Sequence, residues 1–229
     1  MSVTEAAILK IKQMILSGEL RPGDRMPPEA ELSERLGLSR SSLREAVKAL
    51  EMVNVLDVRR GDGTYVTSLE PAMLTQAVGF VVELQQGRTA LELMEVRRIL
   101  ETAAVRRAAV RIDTATLAQL AEEVAACTDV DTEVLVRHDA RFHRLIAQAA
   151  DNSYLVGLLD ALSPRTVRVR AWRAMTESGV VERTIAEHRA IVMALQARDP
   201  DLASAWMTVH IQGVEEFLRQ NLESIEEAQ

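Results

Sequence analysis

Cysteine and long apolar runs are scarce in this 229-residue chain, and each scarcity excludes a class of protein. The single cysteine, Cys127, excludes an intramolecular disulfide and a cysteine-based zinc cluster, and it suits a reducing compartment. We expect it to be buried as a small apolar residue. No run approaches about 18 apolar residues, and the N-terminus lacks a basic segment followed by an apolar one. The sequence therefore predicts a soluble, cytoplasmic protein with no membrane partner.

Glycine, proline and aromatic residues are also few, with 10 Gly, 6 Pro and 3% aromatics. The hydrophobic residues, 48% of the chain, are mainly Ala, Leu, Val, Ile and Met, a composition that favours helices over a β sandwich. Charged residues make up 27%, which is ordinary for a globular protein and excludes a disordered chain. At about 150 residues per domain, the length allows one to two domains.

The net charge of −7 is unevenly distributed. Residues 1–68 carry ten basic and ten acidic side chains, including all three lysines, whereas residues 69–229 carry 17 basic and 24 acidic ones. The first part can therefore present a local basic face to a nucleic acid despite its neutral total.

The first 66 residues predict three helices followed by a hairpin. Pro27-Pro28 suits the first turn of the second helix, and Ser39 is placed to cap the third. β-branched residues on both sides of Gly61-Asp62-Gly63 predict a two-stranded wing over residues 55–66. Apolar residues at helical spacing predict the helices themselves over residues 4–17, 27–36 and 40–53.

A basic ridge lies on the third predicted helix. Arg40, Arg44 and Lys48 are four residues apart, so a helix places them on one side, beside its apolar stripe. A DNA major groove admits such a helix, and an arginine fork can hold guanine O6 and N7 there. Spacing alone fits a solvated face equally well. Short hydroxyl donors near the helix start suit phosphate or base contacts, namely Ser39, Ser41 and Ser42.

The winged helix-turn-helix of the GntR family is closely similar to about residues 4–66 of this chain. The matching stretches are Gly18-Glu-Leu-Arg-Pro-Gly-Asp-Arg-Met-Pro-Pro-Glu-Ala-Glu-Leu-Ser33, Leu36-Gly-Leu-Ser-Arg-Ser-Ser-Leu-Arg-Glu-Ala46 and Arg60-Gly-Asp-Gly-Thr-Tyr-Val66. The resemblance implies that a recognition helix and a wing tip contact operator DNA. The residues to which it assigns these contacts are Arg40, Ser41, Ser42, Arg44, Arg60 and Gly61.

Two residues depart from the GntR pattern. Ala30 stands where several relatives have an arginine, which implies one DNA contact fewer in this chain. Asn54 replaces a glycine before the first wing strand. Because asparagine tolerates a positive φ, we expect the turn to be kept.

The four histidines all lie in the acidic part of the chain. Asp139 and His143 are four residues apart on one predicted helix, close enough to bind one cation. His138 points about a quarter-turn away and is predicted to be dispensable. His188 and His210 lie on two further helices, which an antiparallel bundle can bring to face the first pair. Three histidines and an aspartate would suit Zn²⁺, Ni²⁺ or Mn²⁺, although any one histidine alone is more simply a hydrogen-bonded helix residue.

About residues 75–220 resemble the ligand-binding domain of the FadR subfamily, the FCD type. The matching stretches are Glu92-Leu-Met-Glu-Val-Arg-Arg-Ile-Leu-Glu101, Asp139-Ala-Arg-Phe-His143, Ala149-Ala-Asp-Asn152, Glu187-His-Arg-Ala-Ile191, Asp199 and His210. The resemblance implies a divalent metal held by Asp139, His143, His188 and His210. It also implies that Arg97 holds a small carboxylate near the metal.

Two further features of this part stay open. Asn152 matches the FCD pattern as a pocket residue, yet a turn residue before Ser153 is an equally good interpretation. Four arginines crowd one predicted helix, and one or two of them could face an anion. These arginines are Arg165, Arg168, Arg170 and Arg173.

The predicted fold is mainly α: an N-terminal winged helix-turn-helix followed by an all-helical antiparallel bundle of six to seven helices. The predicted domains are the DNA-binding domain 1–68, a linker 69–75, and an effector-binding and dimerisation domain 76–229. Long helical patterns between polar breaks predict bundle helices over residues 71–86, 89–111, 114–126, 133–150, 153–176, 181–198 and 200–223.

The leading hypothesis is a metabolite-responsive transcriptional repressor that binds a divalent metal and a small carboxylate or sugar acid. We expect a homodimer on double-stranded operator DNA with an inverted repeat, because two-fold proteins match two-fold sites. A metal-sensing regulator is one alternative. A metal-dependent hydrolase is another, since an open metal site can activate water. The chain lacks a His-Glu-x-x-His motif, and an enzyme would leave the winged segment unexplained, so we expect no enzyme activity.

Overall fold

The computed structural model describes residues 3–69, 89–127 and 131–227, apart from the side chains of Thr89 and residues 222–227. The chain divides into two compact units, Met1–Leu74 and Thr75–Gln229. The helix predicted over residues 71–86 lies outside the described residues. Of the predicted linker 69–75, Leu69 alone is among the described residues. The helix over residues 71–86 and the linker therefore stay predictions.

The first unit is a three-helix domain with a β-hairpin, as predicted. The hairpin is antiparallel and pairs Leu56 with Val66 and Arg59 with Gly63. The hydrophobic core of the unit lies among the three helices and the hairpin. It includes Ala7, Ile11, Met14, Leu32, Leu43, Ala46, Leu50, Leu56 and Val66. In chain order the elements are α1 (Val3–Leu16), α2 (Glu29–Leu36), α3 (Arg40–Met52), β1 (Leu56–Arg59) and β2 (Gly63–Val66).

Local backbone preferences explain where these elements begin and end. Ser39 caps α3 as predicted, because its hydroxyl accepts a hydrogen bond from the Ser42 amide at 3.1 Å. Asn54 has a φ of 56°, so the expected positive-φ turn is present. The prediction that Pro27-Pro28 forms the first turn of α2 is wrong, since the helix begins at Glu29. Pro28 is the N-cap residue of α2, and its extended backbone, with ψ at 144°, is the non-helical conformation usual at an N-cap.

The second unit is a helical bundle with six helices among its described residues. α4 packs along α9, and α6 packs along α7. A continuous apolar core includes Met94, Val105, Leu120, Cys127, Leu135, Phe142, Ile146, Ile191, Leu195, Met207 and Ile211. In chain order the helices are α4 (Thr89–Arg111), α5 (Thr114–Ala126), α6 (Thr132–Ala149), α7 (Ser153–Thr176), α8 (Val180–Gln196) and α9 (Pro200–Glu227).

Polar caps set the starts of three bundle helices. The side chains of Asp113, Asp131 and Asn152 accept hydrogen bonds from backbone amides at the first turns of α5, α6 and α7. Cys127 ends α5 and is 5% exposed, as expected for a small apolar residue. Within the described ranges, no helix combines the length and the apolarity that a membrane crossing requires.

Candidate functional site

Most of the predicted DNA-contact residues at α3 are exposed; Ser42 is half-buried, and its amide and hydroxyl both contact the Ser39 hydroxyl. Arg40, Arg44 and Lys48 are all exposed, as are Ser39 and Ser41. The apolar side of the same helix buries Leu43, Ala46 and Leu50 in the core. The burial of one side leaves the basic ridge at the surface of the unit.

A carboxylate orients one arginine of this ridge. Nε of Arg44 donates a hydrogen bond to Oε2 of Glu29, at the start of α2, at 2.8 Å. This bond uses the Nε–H donor, so Nη1 and Nη2 are the donors of the guanidinium that remain for DNA. Those groups are the pair that can bind guanine O6 and N7 together. Lys48 is paired differently, with Glu45 on its own helix at 3.2 Å.

The wing tip faces a groove that it shares with α2 and α3. Arg60 and Gly61 lie at the exposed turn, where Gly61 has a φ of 78°. The groove has a volume of about 410 Å³. Arg25 is a groove residue that sequence reasoning missed. Its guanidinium donates to the Asp62 carbonyl and lies where a Cβ on Gly63 would be, so it fixes the wing tip to the loop before α2.

The structure brings together the four predicted metal ligands, all of them buried. Asp139 and His143 lie on α6, His188 lies on α8 and His210 lies on α9. Nε2 atoms of the three histidines lie 3.4, 3.6 and 3.7 Å from Oδ1 of Asp139. Nε2 of His210 is 3.1 Å from Nε2 of His143 and 3.4 Å from Nε2 of His188.

These separations fit a single ion. With metal–ligand bonds of about 2.0–2.2 Å, two ligand atoms of one ion lie about 3–3.6 Å apart. Three imidazole nitrogens and one carboxylate oxygen are also donors that Zn²⁺, Ni²⁺ and Mn²⁺ accept. The geometry and the chemistry of the cluster therefore agree with the metal set that the sequence predicts.

Carboxylates contact two of the three imidazoles at Nδ1, the ring nitrogen that does not face the cluster. Nδ1 of His210 lies 2.8 Å from Oε2 of Glu187, and Nδ1 of His143 contacts Oε2 of Glu101. A carboxylate that accepts the Nδ1 proton fixes the tautomer whose Nε2 lone pair is available to a metal. Sequence reasoning missed both carboxylates, although Glu101 belongs to the Glu92–Glu101 motif and Glu187 immediately precedes His188.

Burial sets the protonation of the cluster. Loss of hydration lowers the pKa of His188 well below its ordinary value, and the neighbouring histidines lower it further. Burial likewise lowers the pKa of His210 to about 4, against the opposing effect of Glu187. Burial alone would raise the pKa of Glu101, but Arg97 and His143 hold it well below the usual range. His188 and His210 are therefore neutral and Glu101 charged at neutral pH.

The structure separates the four arginines of α7. Arg170 and Arg173 are buried and line a cavity of about 20 Å³ beside Asp139, whereas Arg168 is exposed and Arg165 is half-buried. Nη1 of Arg170 contacts Oδ2 of Asp139, the carboxylate oxygen that does not face the histidines. Arg170 thus orients the Asp139 carboxylate, as Glu101 and Glu187 orient the imidazoles of His143 and His210.

Arg97 is joined to the ligand cluster through Glu101, which contacts both Arg97 and His143. Its guanidinium is buried and contacts Glu101 and Thr166, which use two of its five N–H donors. Arg97, Glu101 and His143 line a common cleft of about 350 Å³, which also reaches the exposed Arg144. The cleft is large enough for a small organic ligand.

Asn152 is not brought into this cleft. Its side-chain oxygen accepts a hydrogen bond from the Leu155 amide at 3.1 Å and caps α7. This contact agrees with the turn-residue interpretation of Asn152 and gives no support to the pocket interpretation.

Comparisons with known proteins agree with the two-part architecture. Residues 3–66 match the family described as bacterial regulatory proteins, gntR family, and residues 92–213 match the FCD domain. A solved structure, Streptococcus agalactiae GntR, is 27% identical, covers 93% of this chain and 99% of its own, and superposes with a TM-score of 0.68.

Curated relatives extend over most of the chain. The HTH-type transcriptional regulator LutR of Bacillus subtilis is 30% identical over 90% of this chain and 96% of its own length. The galactonate operon transcriptional repressor of Escherichia coli is 28% identical over 87% of this chain and 90% of its own length. These families and relatives are DNA-binding transcriptional regulators and not enzymes, so the hydrolase alternative is set aside.

Proposed function

This chain belongs to the GntR family, with an FCD domain, and is a transcriptional regulator; we propose that its helical unit binds one divalent metal ion and a small carboxylate effector that together control operator binding. The observation that carries the proposal is the buried cluster of Asp139, His143, His188 and His210. Four buried polar ligands on three helices, three of them in contact with a further charged side chain, are costly to assemble without an ion that they bind.

The metal would supply a positive centre inside an acidic domain. An acidic domain repels anions at long range, so the affinity for a carboxylate must come from a local cationic site. A divalent ion in the cluster would supply the charge, and the Arg97 guanidinium, joined to His143 through Glu101, would supply further donors for a carboxylate. We therefore propose that the effector is a hydroxy- or keto-carboxylate or a sugar acid in the cleft of Arg97 and His143. The galactonate repressor, which controls an operon named for a sugar acid, supports this ligand class.

Regulators of the GntR family bind operator DNA and are usually dimers. We propose that this chain acts as a homodimeric repressor on an inverted repeat. The surface of α3 that carries Arg40, Arg44 and Lys48 would read each half-site, while Arg60 and Gly61 of the wing contact the flanking backbone. For a tenfold change in operator affinity, the effector must favour one arrangement of the dimer by about 1.4 kcal/mol, which lies within ordinary allosteric coupling.

Metal content tests the first half of the proposal. Purified wild-type protein should hold about one transition metal per chain, and the double variant His188→Ala, His210→Ala should hold almost none. Metal content that is unchanged in the double variant would place the ion elsewhere. Operator binding measured with metal alone, and then with metal and effector, distinguishes a metabolite sensor from a metal sensor: control by metal alone would overturn the effector role.

Calorimetry tests the second half. Metal-loaded wild type, Arg97→Ala and Arg144→Ala are titrated with hydroxy acids, keto acids and sugar acids, beside a neutral sugar alcohol. Loss of charge-assisted hydrogen bonds should weaken carboxylate binding about 10- to 100-fold in Arg97→Ala. Arg144 lines the same cleft but is exposed, so Arg144→Ala should stay within about threefold. Equal affinity in wild type and Arg97→Ala, or binding of the neutral ligand alone, would overturn the effector site.

A further inference from the structure

His138 lies outside the ligand cluster but touches it. Nε2 of His138 is 3.0 Å from Nδ1 of His188, and the His138 side chain is almost fully buried. Phe142 stacks on the His188 ring, with centroids 3.9 Å apart and planes within 9° of parallel. Stacking fixes the plane of the His188 ring, and the contact with His138 fixes its rotation within that plane.

The contact also fixes a proton. For His188 to offer the Nε2 lone pair to the cluster as a neutral imidazole, its Nδ1 must carry the proton. That N–H then donates to Nε2 of His138, which must be the unprotonated nitrogen of its own ring. The proton of His138 consequently sits on Nδ1, which lies 3.6 Å from Oε2 of Glu123; this distance is too long for a hydrogen bond and makes the contact an electrostatic one. The three side chains thus have a single consistent arrangement of hydrogens.

We infer that His138 is a positioning residue for the metal site and that it relays the orienting effect of Glu123 on α5 to His188. The inference depends on the proposed metal site and replaces the sequence prediction that His138 is dispensable. His143 and His210 contact carboxylates directly, whereas His188 reaches one through a second imidazole. α5 contributes no ligand, yet through Glu123 it takes part in holding one.

Glu123, the outermost of the three relay residues, is bound by an exposed arginine. Nε of Arg141 lies 2.8 Å from Oε1 of Glu123, and its side chain is 62% exposed. Arg141 sits two residues after Asp139 on α6, so it clamps Glu123 against the helix that carries two ligands. This clamp keeps Oε2 of Glu123 directed at His138.

Metal competition assays on the full chain test the relay, with Zn²⁺ and Co²⁺ as the probes. His138→Phe removes the acceptor for the His188 proton, and Zn²⁺ affinity should fall about 10- to 100-fold, as is typical when an outer-shell partner is lost. His138→Gln keeps an acceptor of similar reach and should recover most of this loss. Glu123→Gln, which leaves His138 in place, should lose less than His138→Phe.

Visible absorption of the Co²⁺ form gives a readout that general destabilisation would not move. The ligand-field bands of His138→Phe should shift, whereas those of His138→Gln should resemble the wild type. Far-UV circular dichroism of the metal-free variants checks that each one folds. If the wild type binds one ion and His138→Phe binds it with unchanged affinity and spectrum, the relay is wrong and the metal site stands. If the wild type binds no metal, both proposals fail.

Discussion

At the scale of single residues, His210 carries a measurable pH dependence. Its pKa is about 4 in the folded chain, because burial removes the hydration of the imidazolium, against about 6.5 when unfolded. Between these values the unfolded state binds more protons, so the free energy of unfolding rises with pH and levels off above about pH 6.5. The same free energy decreases as the pH falls toward 4. His188 acts in the same direction.

We predict that metal-free protein loses stability steadily between pH 6.5 and pH 4, by as much as about 3 kcal/mol from His210 alone. Urea unfolding in the presence of a chelator, repeated at several pH values, measures this loss. The variant His210→Asn cannot titrate and should show a shallower dependence. A wild-type stability that is flat across this range would contradict the assigned protonation states.

Arg44 should determine base preference. Because Glu29 occupies its Nε and leaves its Nη pair for guanine, Arg44→Ala should cost about 1–3 kcal/mol and relax sequence preference. Lys48→Ala, which removes a charge from the same ridge, should weaken all sequences alike and reduce the salt dependence. Binding assays with operator and scrambled DNA at two salt concentrations separate the effects. Normal operator binding by Arg44→Ala would remove it from the contact surface.

Sequence reasoning at this scale found the residues that have a local pattern. Asp139 and His143 share a helix face, and His188 and His210 came from the FCD resemblance. Glu123 and His138 could not be found as a pair, because their contact joins two helices and leaves no periodic trace. The angle of His138 on α6 predicts that it is no ligand, and the structure leaves it outside the cluster of Asp139, His143, His188 and His210. The same angle gives no information on the His188 ring, which contacts His138 from another helix.

At the scale of elements, the helix boundaries were predictable because their causes are local. Asp113, Asp131 and Asn152 each begin a helix with a side chain that accepts an amide hydrogen bond. Pro27-Pro28 shows the limit of such reasoning: the fixed φ of proline suits both a first helical position and the extended residue before a helix, and Pro28 takes the second role.

Two bundle helices carry exposed apolar stripes. On α4, Val96, Ile99 and Val110 are 45%, 62% and 58% exposed, and their spacing places them along one face. On α9, Trp206 and Val209 are 37% and 48% exposed. The two helices pack together, and Nε of Arg98 lies 2.9 Å from the Glu215 carboxylate between them. Such stripes suit the proposed second copy of the chain.

We predict that Ile99→Glu weakens the homodimer, because it places a charge in the apolar contact. Sedimentation analysis should show a shift toward monomer, and binding to a two-site operator should fall with it. Met193→Glu, an equally drastic change at a 62% exposed position on α8, serves as the control and should leave the oligomeric state unchanged. A dimer of wild-type stability in Ile99→Glu would exclude this face.

At the scale of the whole molecule, the metal should stabilise one unit only. The proposed ligands lie on α6, α8 and α9, and the chain's two tryptophans, Trp172 and Trp206, also lie in the helical unit. Ion binding at 1,000 times its Kd contributes about 4 kcal/mol, so chelation should lower the Tm followed by tryptophan fluorescence by on the order of 10 °C. An unchanged fluorescence transition in a chelator that removes the metal would contradict this coupling.

The predicted fold class followed from composition and periodicity, because a chain poor in glycine, proline and aromatics has few alternatives to packed helices. Which helices lie side by side did not follow. The pairing of α4 with α9, distant in sequence, depends on side-chain fit in the core and on contacts such as Arg98 with Glu215, which no single segment reveals.

The burial of the ligand cluster also sets a timescale. Asp139, His143, His188 and His210 are each no more than 6% exposed, so an ion can leave only when packed helices separate locally. A carboxylate in the 350 Å³ cleft needs no such opening. The ion should therefore exchange far more slowly than the effector and remain in place through many rounds of effector binding. If the proposed function holds, the metal would be a permanent part of the receptor, and the metabolite would be the fast variable that the regulator follows.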